Sequence, residues 1–238
     1  MQNIKIIFLK DDKSLNSFLF KTIKKSIKKK KEPLNLMLPG GQSFLNFYKY
    51  LTKKKIYKYL NIFLSDERLT PKKKYQNLFS LLKYLKYPID SPKIAKSKKF
   101  VLKEYRNRLP TYIDLTFLGM GSDGHVASIF KKSKNKNKVI ITSSKKHPFQ
   151  RCTVSLNYLN KSKKIFTLIK GKKKYKFFLN HLMNNKYKLL PVSQINNNTL
   201  ILNGINCKDF VKIKKFINGK PLKIKISFDK VSYNFLKK

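Results

Sequence analysis

The apolar residues of this chain form short continuous runs, separated by segments whose apolar positions have helical spacing. Residues 4–9 (IKIIFL) predict a strand, and the apolar spacing from Ser14 onward, with lysines on the other face, predicts a helix. The same order of strand, loop and helix recurs after LNLML (34–38), NIFLS (61–65), DLTFLG (114–119) and IFTLI (165–169). Buried strands alternating with amphipathic helices form parallel sheets covered on both faces. The pattern therefore predicts a doubly wound, mainly parallel, Rossmann-like α/β sheet with helices on both faces.

The pattern changes after about Asn203. Residues 210–228 alternate apolar and polar positions around an Asn218-Gly219 break, which predicts a β-hairpin. We therefore divide the chain into an α/β catalytic domain (1–204) and a C-terminal extension (205–238). The extension is expected to pack on the sheet edge or to pair with another chain.

Four loops that follow predicted strands carry glycines or charges. They read PGGQS, SDER, GMGSDGH and KGKKK, and a short helix is expected to begin near Val126 after the third. Ligands of doubly wound folds bind at the carboxyl ends of the strands, all on one side of the sheet. The four loops are therefore expected to converge on one crevice.

The charge raises the question of nucleic acid as a partner. The 238 residues include 56 Lys+Arg and 11 Asp+Glu, a net charge of +45. Arginine, which reads phosphates and guanine edges in a planar fork, occurs only at 68, 106, 108 and 151. The lysines are spread over every segment, and alanine occurs only at 95 and 127, as expected from an AT-biased coding sequence. We expect non-specific adhesion to polyanions at low salt and no specific nucleic-acid binding.

Composition excludes several other classes. A hydrophobic content of 41% is too high for a disordered polycation, and no apolar run is long enough to span a membrane. Cys152 and Cys207 lack metal-ligand spacing and are too few for a disulfide scaffold. We expect a cytoplasmic protein with no membrane partner, and the oligomeric state stays open.

Three of the loops could carry chemistry. PGGQS offers backbone N–H groups at a helix start, which suits a phosphate, although taken alone a Gly-Gly pair more often marks a tight turn. In SDER, Asp66, Glu67 and Arg68 follow a buried strand, where charges are costly unless partnered. In GMGSDGH, Asp123 could orient His125, and histidine suits a general base at neutral pH. His147 and His181 have no such neighbours and are interpreted as structural or solvated.

The order of PGGQS, SDER, YQNLFSL, GMGSDGHVASIF, RCTVSL, GKKKYKFF and PVSQI resembles the 6-phosphogluconolactonase family, which has glucosamine-6-phosphate deaminase as a relative. The resemblance runs from residue 4 to about 203. It implies a cofactor-free, metal-free hydrolase of the pentose phosphate pathway that opens the ring of 6-phosphoglucono-1,5-lactone, so the implied partner is a small phosphosugar lactone. It implies catalytic roles for His125, Asp123 and Asp66, phosphate binding by Gly40, Gly41, Ser43, Arg68 and Lys174, and further candidates in Glu67, Gln42, Asn77 and Arg151.

The chain departs from the family at Pro39, Phe44 and Lys131, none of which is a reacting group. The nearest alternative is a glucosamine-6-phosphate deaminase, in which an Asn-Glu-Pro usually supplies an acid after the Asp-Gly-His segment. Here that stretch reads ASIFKKS and has no acid, which favours the lactonase. Two further alternatives are a basic nucleic-acid-binding protein on the same scaffold and a phosphosugar-binding protein without catalysis.

Overall fold

The computed structural model describes residues 4–131, 135–184, 186–204 and 224–228. The strands are β1 (Ile4–Leu9), β2 (Leu34–Leu38), β3 (Leu60–Leu64), β4 (Asp66–Arg68), β5 (Leu115–Gly119), β6 (Val139–Ser144), β7 (His147–Val154), β8 (Lys164–Lys170), β9 (Asn198–Asn203) and β10 (Ile224–Phe228). The helices are α1 (Asp12–Ile27), α2 (Leu45–Thr52), α3 (Asn77–Leu82), α4 (Lys98–Arg108), α5 (Leu156–Leu159) and α6 (Lys172–Met183).

The main sheet has the strand order β10-β1-β9-β8-β5-β2-β3, and its paired strands are parallel. Alternate residues of β1 enter opposite cores: Ile6 packs in the cluster that includes α4 and α6, and Ile7 in the cluster that includes α1, α2 and α3. This period of two places one hydrophobic core on each face of the sheet. The predicted doubly wound α/β fold is confirmed.

A second, three-stranded antiparallel sheet of order β4-β7-β6 lies beside the main sheet. The sequence pattern did not predict it, because β4 is only three residues long and β7 is half polar. This small sheet pairs Asp66 with Thr153 and Arg68 with Arg151. It thereby brings the SDER segment against a strand that lies more than 80 residues away in sequence.

The expected helix near Val126 is wrong. Val126 instead forms isolated bridges with Met120 and Ile129, and Ala127 adopts a left-handed conformation with φ of 49°. A helix cannot continue through a left-handed residue, and the hydroxyl of Ser128 is engaged by Asp66 at 2.6 Å. The segment is therefore a compact loop that packs back towards the SDER strand.

The described part of the C-terminal extension is β10, which pairs in parallel with β1 at the edge of the main sheet, with Ile226 opposite Ile6. The other arm of the predicted hairpin (210–218) lies outside the described residues. The division of the chain at residue 204 stays a prediction. No helix within the described ranges combines the length and the apolar content that crossing a bilayer requires.

Candidate active site

A cleft of about 470 Å³ opens where the loops after β2, β3, β5 and β8 meet, so the predicted convergence is observed. Its lining includes most of the candidate residues: Gly41, Gln42, Ser43, Asp66, Arg68, Asn77, His125, Arg151 and Lys174. The other three candidates support lining residues. Gly40 packs against Asn77, Glu67 accepts hydrogen bonds from the backbone of Arg68 and Asn77, and Asp123 bonds to His125.

The imidazole of His125 is oriented by Asp123. The Nδ1 of His125 lies 2.5 Å from Oδ1 of Asp123, and the backbone N–H of His125 donates to the same oxygen at 3.3 Å. Burial raises the pKa of Asp123, but the hydrogen bond and the charge of His125 outweigh it and hold that pKa below its usual value. An ionised Asp123 accepts a hydrogen from Nδ1, so the pair presents Nε2 as the proton acceptor.

Glycine is needed where the ring of His125 packs. A Cβ built on Gly121 would lie 2.8 Å from Nε2 of His125 and closer still to Nδ1 and Cε1. Gly124 has φ of 82°, a conformation that favours glycine. The ring also makes an edge contact with Phe130 at a centroid distance of 5.0 Å. The glycines of this loop thus let the backbone approach the imidazole and define its position.

Asp66 is buried and satisfied by neutral donors. The hydroxyls of Ser65 and Ser128 donate to it at 2.9 and 2.6 Å, and the side-chain amide of Asn77 donates at 3.2 Å. Among the described residues, the carboxylate that contacts His125 is that of Asp123. Asp66 therefore ties three segments of the cleft wall together, whereas the imidazole donates its hydrogen bond to Asp123.

Glu67 points away from the cleft and caps α3. Its carboxyl group accepts the backbone N–H groups of Arg68 and Asn77, each at 2.6 Å, and of Leu78 at 2.7 Å. Burial raises the pKa of Glu67 to about 7, and these three N–H donors oppose the rise. This contact joins the SDER segment to the helix that carries Asn77.

Cations line the opposite side of the cleft. Arg68 and Arg151 face each other across the β4–β7 pair, and the Nζ of Lys174 lies 3.3 Å from the hydroxyl of Ser43. The Nη1 of Arg68 donates to the carbonyl of Tyr75 at 2.7 Å, but its Nε is buried and has no hydrogen-bond partner among the described residues. Burial lowers the pKa of both Arg151 and Lys174. Arg151 is buried and Arg68 is half-buried, and two cations held this close together favour the binding of an anion beside them.

The PGGQS loop closes the cleft from the side of β2. A 3₁₀ turn (Gln42–Phe44) leads into α2, so its backbone N–H groups stand at a helix start. A Cβ on Gly40 would lie 2.5 Å from Cγ and 3.0 Å from Cα of Asn77, whereas one on Gly41 would meet nothing within 4 Å. Gly40 is therefore a packing requirement, and Gly41 leaves the loop open to the cleft.

Sequence reasoning missed three residues of this region. Lys170 lines the cleft and pairs with Asp12 at 2.6 Å, Ser128 holds Asp66, and His147 lies 5.4 Å from His125 between ring centroids. The local sequence of His147 indicates only a structural or solvated side chain, because nothing in it points towards residue 125. The antiparallel β6–β7 hairpin brings it there, and no periodicity in the chain signals that placement.

An imidazole with its carboxylate partner thus faces a cluster of arginine and lysine across one cleft, at the strand ends of a doubly wound sheet. The fold and this cleft are typical of an α/β enzyme that binds an anionic small molecule. Residues 12–202 match the family model described as glucosamine-6-phosphate isomerases/6-phosphogluconolactonase. The chain belongs to that family.

Named relatives agree with this assignment. The chain is 33% identical over 188 residues to the 6-phosphogluconolactonase of Thermotoga maritima, which covers 71% of this chain and 84% of the relative. It is 25% identical over 202 residues to that of Neisseria meningitidis, covering 74% and 83% respectively. The crystal structure of the Thermotoga maritima 6-phosphogluconolactonase superimposes with a TM-score of 0.74 at 26% identity, covering 84% of this chain and 100% of that chain.

Proposed function

We propose that this chain hydrolyses 6-phospho-D-glucono-1,5-lactone to 6-phospho-D-gluconate, a step of the pentose phosphate pathway. Relatives named 6-phosphogluconolactonase support the substrate. The observation that carries the proposal is the His125–Asp123 pair, held at 2.5 Å on the same cleft as Arg68, Arg151 and Lys174. A base and a phosphate site within one small cleft suit a phosphorylated ester.

The phosphate is bound first, at the cationic side of the cleft. Arg68 and Arg151 supply planar donors, including the buried Nε of Arg68, and Lys174 supplies a point charge next to Ser43. The N–H groups of the PGGQS loop add donors at the start of α2. Anchoring the phosphate there holds the lactone carbonyl near His125, so the reacting groups are already in position when the reaction begins.

His125 then acts as a general base. Its Nε2 takes a proton from a water molecule while the water oxygen forms a bond to C1 of the lactone, and Asp123 stabilises the imidazolium that results. When the tetrahedral intermediate collapses, the bond between C1 and the ring oxygen breaks, and the ring oxygen takes the proton from His125. Base catalysis of this kind contributes about 10² to 10⁴-fold. Water is the co-substrate, so the balance needs no cofactor.

Asp66 has a different role from that of Asp123. Its contacts to Ser65, Ser128 and Asn77 hold the loop after His125 against the SDER strand and α3. It lines the cleft, contributes to its shape and places a negative charge near Arg151. We assign it to positioning the cleft wall around the reacting water.

The second candidate function is deamination of glucosamine 6-phosphate, which the family description also includes. The segment after His125 speaks against it, because in residues 126–131 the structure has a hydroxyl, that of Ser128, and no carboxylate. Lactone hydrolysis requires no further acid at this position. Release of ammonia from glucosamine 6-phosphate without lactone hydrolysis would reverse this choice.

We further propose a small phosphosugar lactone as the partner, with no specific nucleic acid, and a cytoplasmic location. A nucleic-acid function predicts salt-sensitive duplex binding and no effect of Arg68 substitution on sugar assays. The deciding experiment follows acid production from freshly prepared 6-phosphogluconolactone above the spontaneous rate, for the wild type and for His125→Ala. A variant that retains the wild-type rate would contradict the assignment of the base.

A further inference from the structure

A second histidine lies beside the His125–Asp123 pair. His147 begins β7, and its ring is perpendicular to that of His125, at 84° and a centroid distance of 5.4 Å. One potential ligand atom from each of Asp123, His125 and His147 lies within 4.8 Å of the other two. Within the described ranges, no other group of three histidine, cysteine, aspartate or glutamate side chains has this geometry.

The two imidazoles are held in place by one aromatic ring. Phe130 stacks on His147 at 5.0 Å and 26°, and it meets the ring of His125 edge-on at 5.0 Å and 62°. The backbone of His147 is fixed by its pairing with Ser144 in the β6–β7 hairpin. Side chains restrained in this way lose little conformational entropy when they bind a ligand.

We propose that Asp123, His125 and His147 form a binding site for a transition-metal dication of the zinc class, and that the bound ion inhibits the enzyme. Two imidazole nitrogens and one carboxylate oxygen are a donor set that zinc takes, with water as the fourth ligand. Zinc bonds of about 2.0 to 2.2 Å place the ligand atoms of a tetrahedral site about 3.3 Å apart. Side-chain rotation of roughly 1 Å therefore closes the site around the ion, with no change in the backbone.

The surroundings select the class of cation. Arg151 and Arg68 act electrostatically on His147 and repel every dication, so a cation is retained only where its bonds to the ligand atoms outweigh that repulsion. Zinc and cobalt gain most of their affinity from coordination by imidazole nitrogen. The site is therefore expected to bind Zn²⁺ or Co²⁺ and to reject Mg²⁺ and Ca²⁺.

Inhibition follows from the place of His125. Its ring lines the cleft, and a metal bound to it would occupy the nitrogen or displace the Asp123 contact that the base requires. This part of the inference rests on the proposed function, whereas metal binding does not. Removal of the metal by a chelator should restore the rate in full.

The test uses the full chain without a histidine tag, freed of metal with a chelator. A Cys207→Ser background removes the one thiol that lies outside the described residues, since Cys152 is buried. The sequence has three histidines. The variant His147→Phe keeps a ring against Phe130, and His181→Gln on α6 is the matched control. Zn²⁺ binding is measured by calorimetry, and the coordination of Co²⁺ by its visible spectrum.

We expect one Zn²⁺ per chain in the background protein and in His181→Gln, and affinity weakened by more than about tenfold in His147→Phe. Millimolar Mg²⁺ or Ca²⁺ should not compete, and Co²⁺ should give a four-coordinate spectrum that His147→Phe loses. In lactone assays Zn²⁺ should inhibit the background protein reversibly. Each variant is compared with its own metal-free rate, and His147→Phe should lose the inhibition.

Equal zinc affinity in the background protein and His147→Phe would overturn the site, as would loss of binding in His181→Gln alone. Loss of binding in His147→Phe with unchanged inhibition, or stimulation of the background protein by zinc, would overturn the inhibitory role. A metal-free chain that does not hydrolyse the lactone would contradict the proposed function instead. Calorimetry and the cobalt spectrum decide the site in that case, because neither uses the lactone.

Discussion

The substitution Gly121→Ala tests whether the position of the imidazole limits the reaction. It adds one methyl group beneath His125 and removes no reacting group. That methyl carbon would lie 2.8 Å from Nε2 and closer still to Nδ1 and Cε1. The ring of His125 is partly exposed, so it can move towards the cleft and the fold can tolerate the change.

The magnitude follows from van der Waals contact. Non-bonded carbon atoms sit at about 3.5 to 4.0 Å, and Cε1 would lie far inside that range, so the ring has to shift by more than about 1 Å. A misplacement of about 1 Å costs on the order of 10²-fold in rate. The shift also lengthens the bond between Nδ1 and Asp123, now 2.5 Å, which weakens the orientation of the base. We expect kcat to fall by about 10² and the free energy of unfolding to fall by about 1 to 3 kcal/mol.

The assay is the rate of lactone hydrolysis above the spontaneous rate, with stability measured by urea unfolding. Gly119→Ala, at the end of β5 two residues before Gly121, is the matched control, because its methyl group would come no closer than 4.0 Å to the ring of Phe44. It should lose much less activity than Gly121→Ala. If Gly121→Ala hydrolysed the lactone at the wild-type rate, the position of the ring would not control the chemistry.

Further predictions concern the cleft walls and the stability of the fold. Gly40→Ala, which drives a methyl group into Asn77, should lower the free energy of unfolding in urea by about 1 to 3 kcal/mol, and Gly41→Ala by less than about 0.5. Arg68→Lys keeps the charge and loses the planar donors, so KM should rise roughly ten- to hundredfold with a smaller change in kcat. Burial raises the pKa of Asp114, but its bonds to lysines and to a backbone N–H hold that pKa below its usual value. The stability it adds is present above about pH 4 and is lost as the pH falls. Asp114→Asn should therefore have a lower free energy of unfolding at pH 7 than the wild type. That free energy, measured by urea unfolding, should also depend less on pH in the acid range.

Each of these has a contrary result. Equal unfolding midpoints for Gly40→Ala and Gly41→Ala would contradict the packing of Gly40 on Asn77. A fall in kcat with unchanged KM in Arg68→Lys would remove Arg68 from phosphate binding. An acid dependence that is the same in Asp114→Asn and the wild type would place the acid-sensitive carboxylates elsewhere.

Five strands of the main sheet (β1, β2, β3, β5 and β8) could be predicted from the sequence, because their burial is local and periodic, whereas β9 and α4 were not predicted. The apolar runs 4–9 and 34–38 contain one polar residue each, and α6 begins after Gly171 as its glycine and apolar spacing predict. Because every strand of a parallel sheet ends on the same side, the loops carrying Arg68 and His125 had to share one edge. The sequence thus predicted which loops and which side chains meet at that edge of the sheet.

Other features depended on contacts between distant segments, which no local period encodes. The expected helix at Val126 gave way to a loop because Ser128 bonds to Asp66, a partner 62 residues away. That the imidazole pairs with Asp123 and not with Asp66 follows from the distance between the side chains, which the sequence pattern does not give. The small antiparallel sheet brings Arg68 opposite Arg151 and places His147 near His125. The sequence pattern did not predict this sheet, because β4 is too short and β7 too polar. The sequence by itself thus determined most of the strands and helices of the main sheet and the residues of each loop. Only the tertiary structure decided which side chains form ion pairs and hydrogen bonds, because partners such as Ser128 and Asp66 lie far apart in the chain.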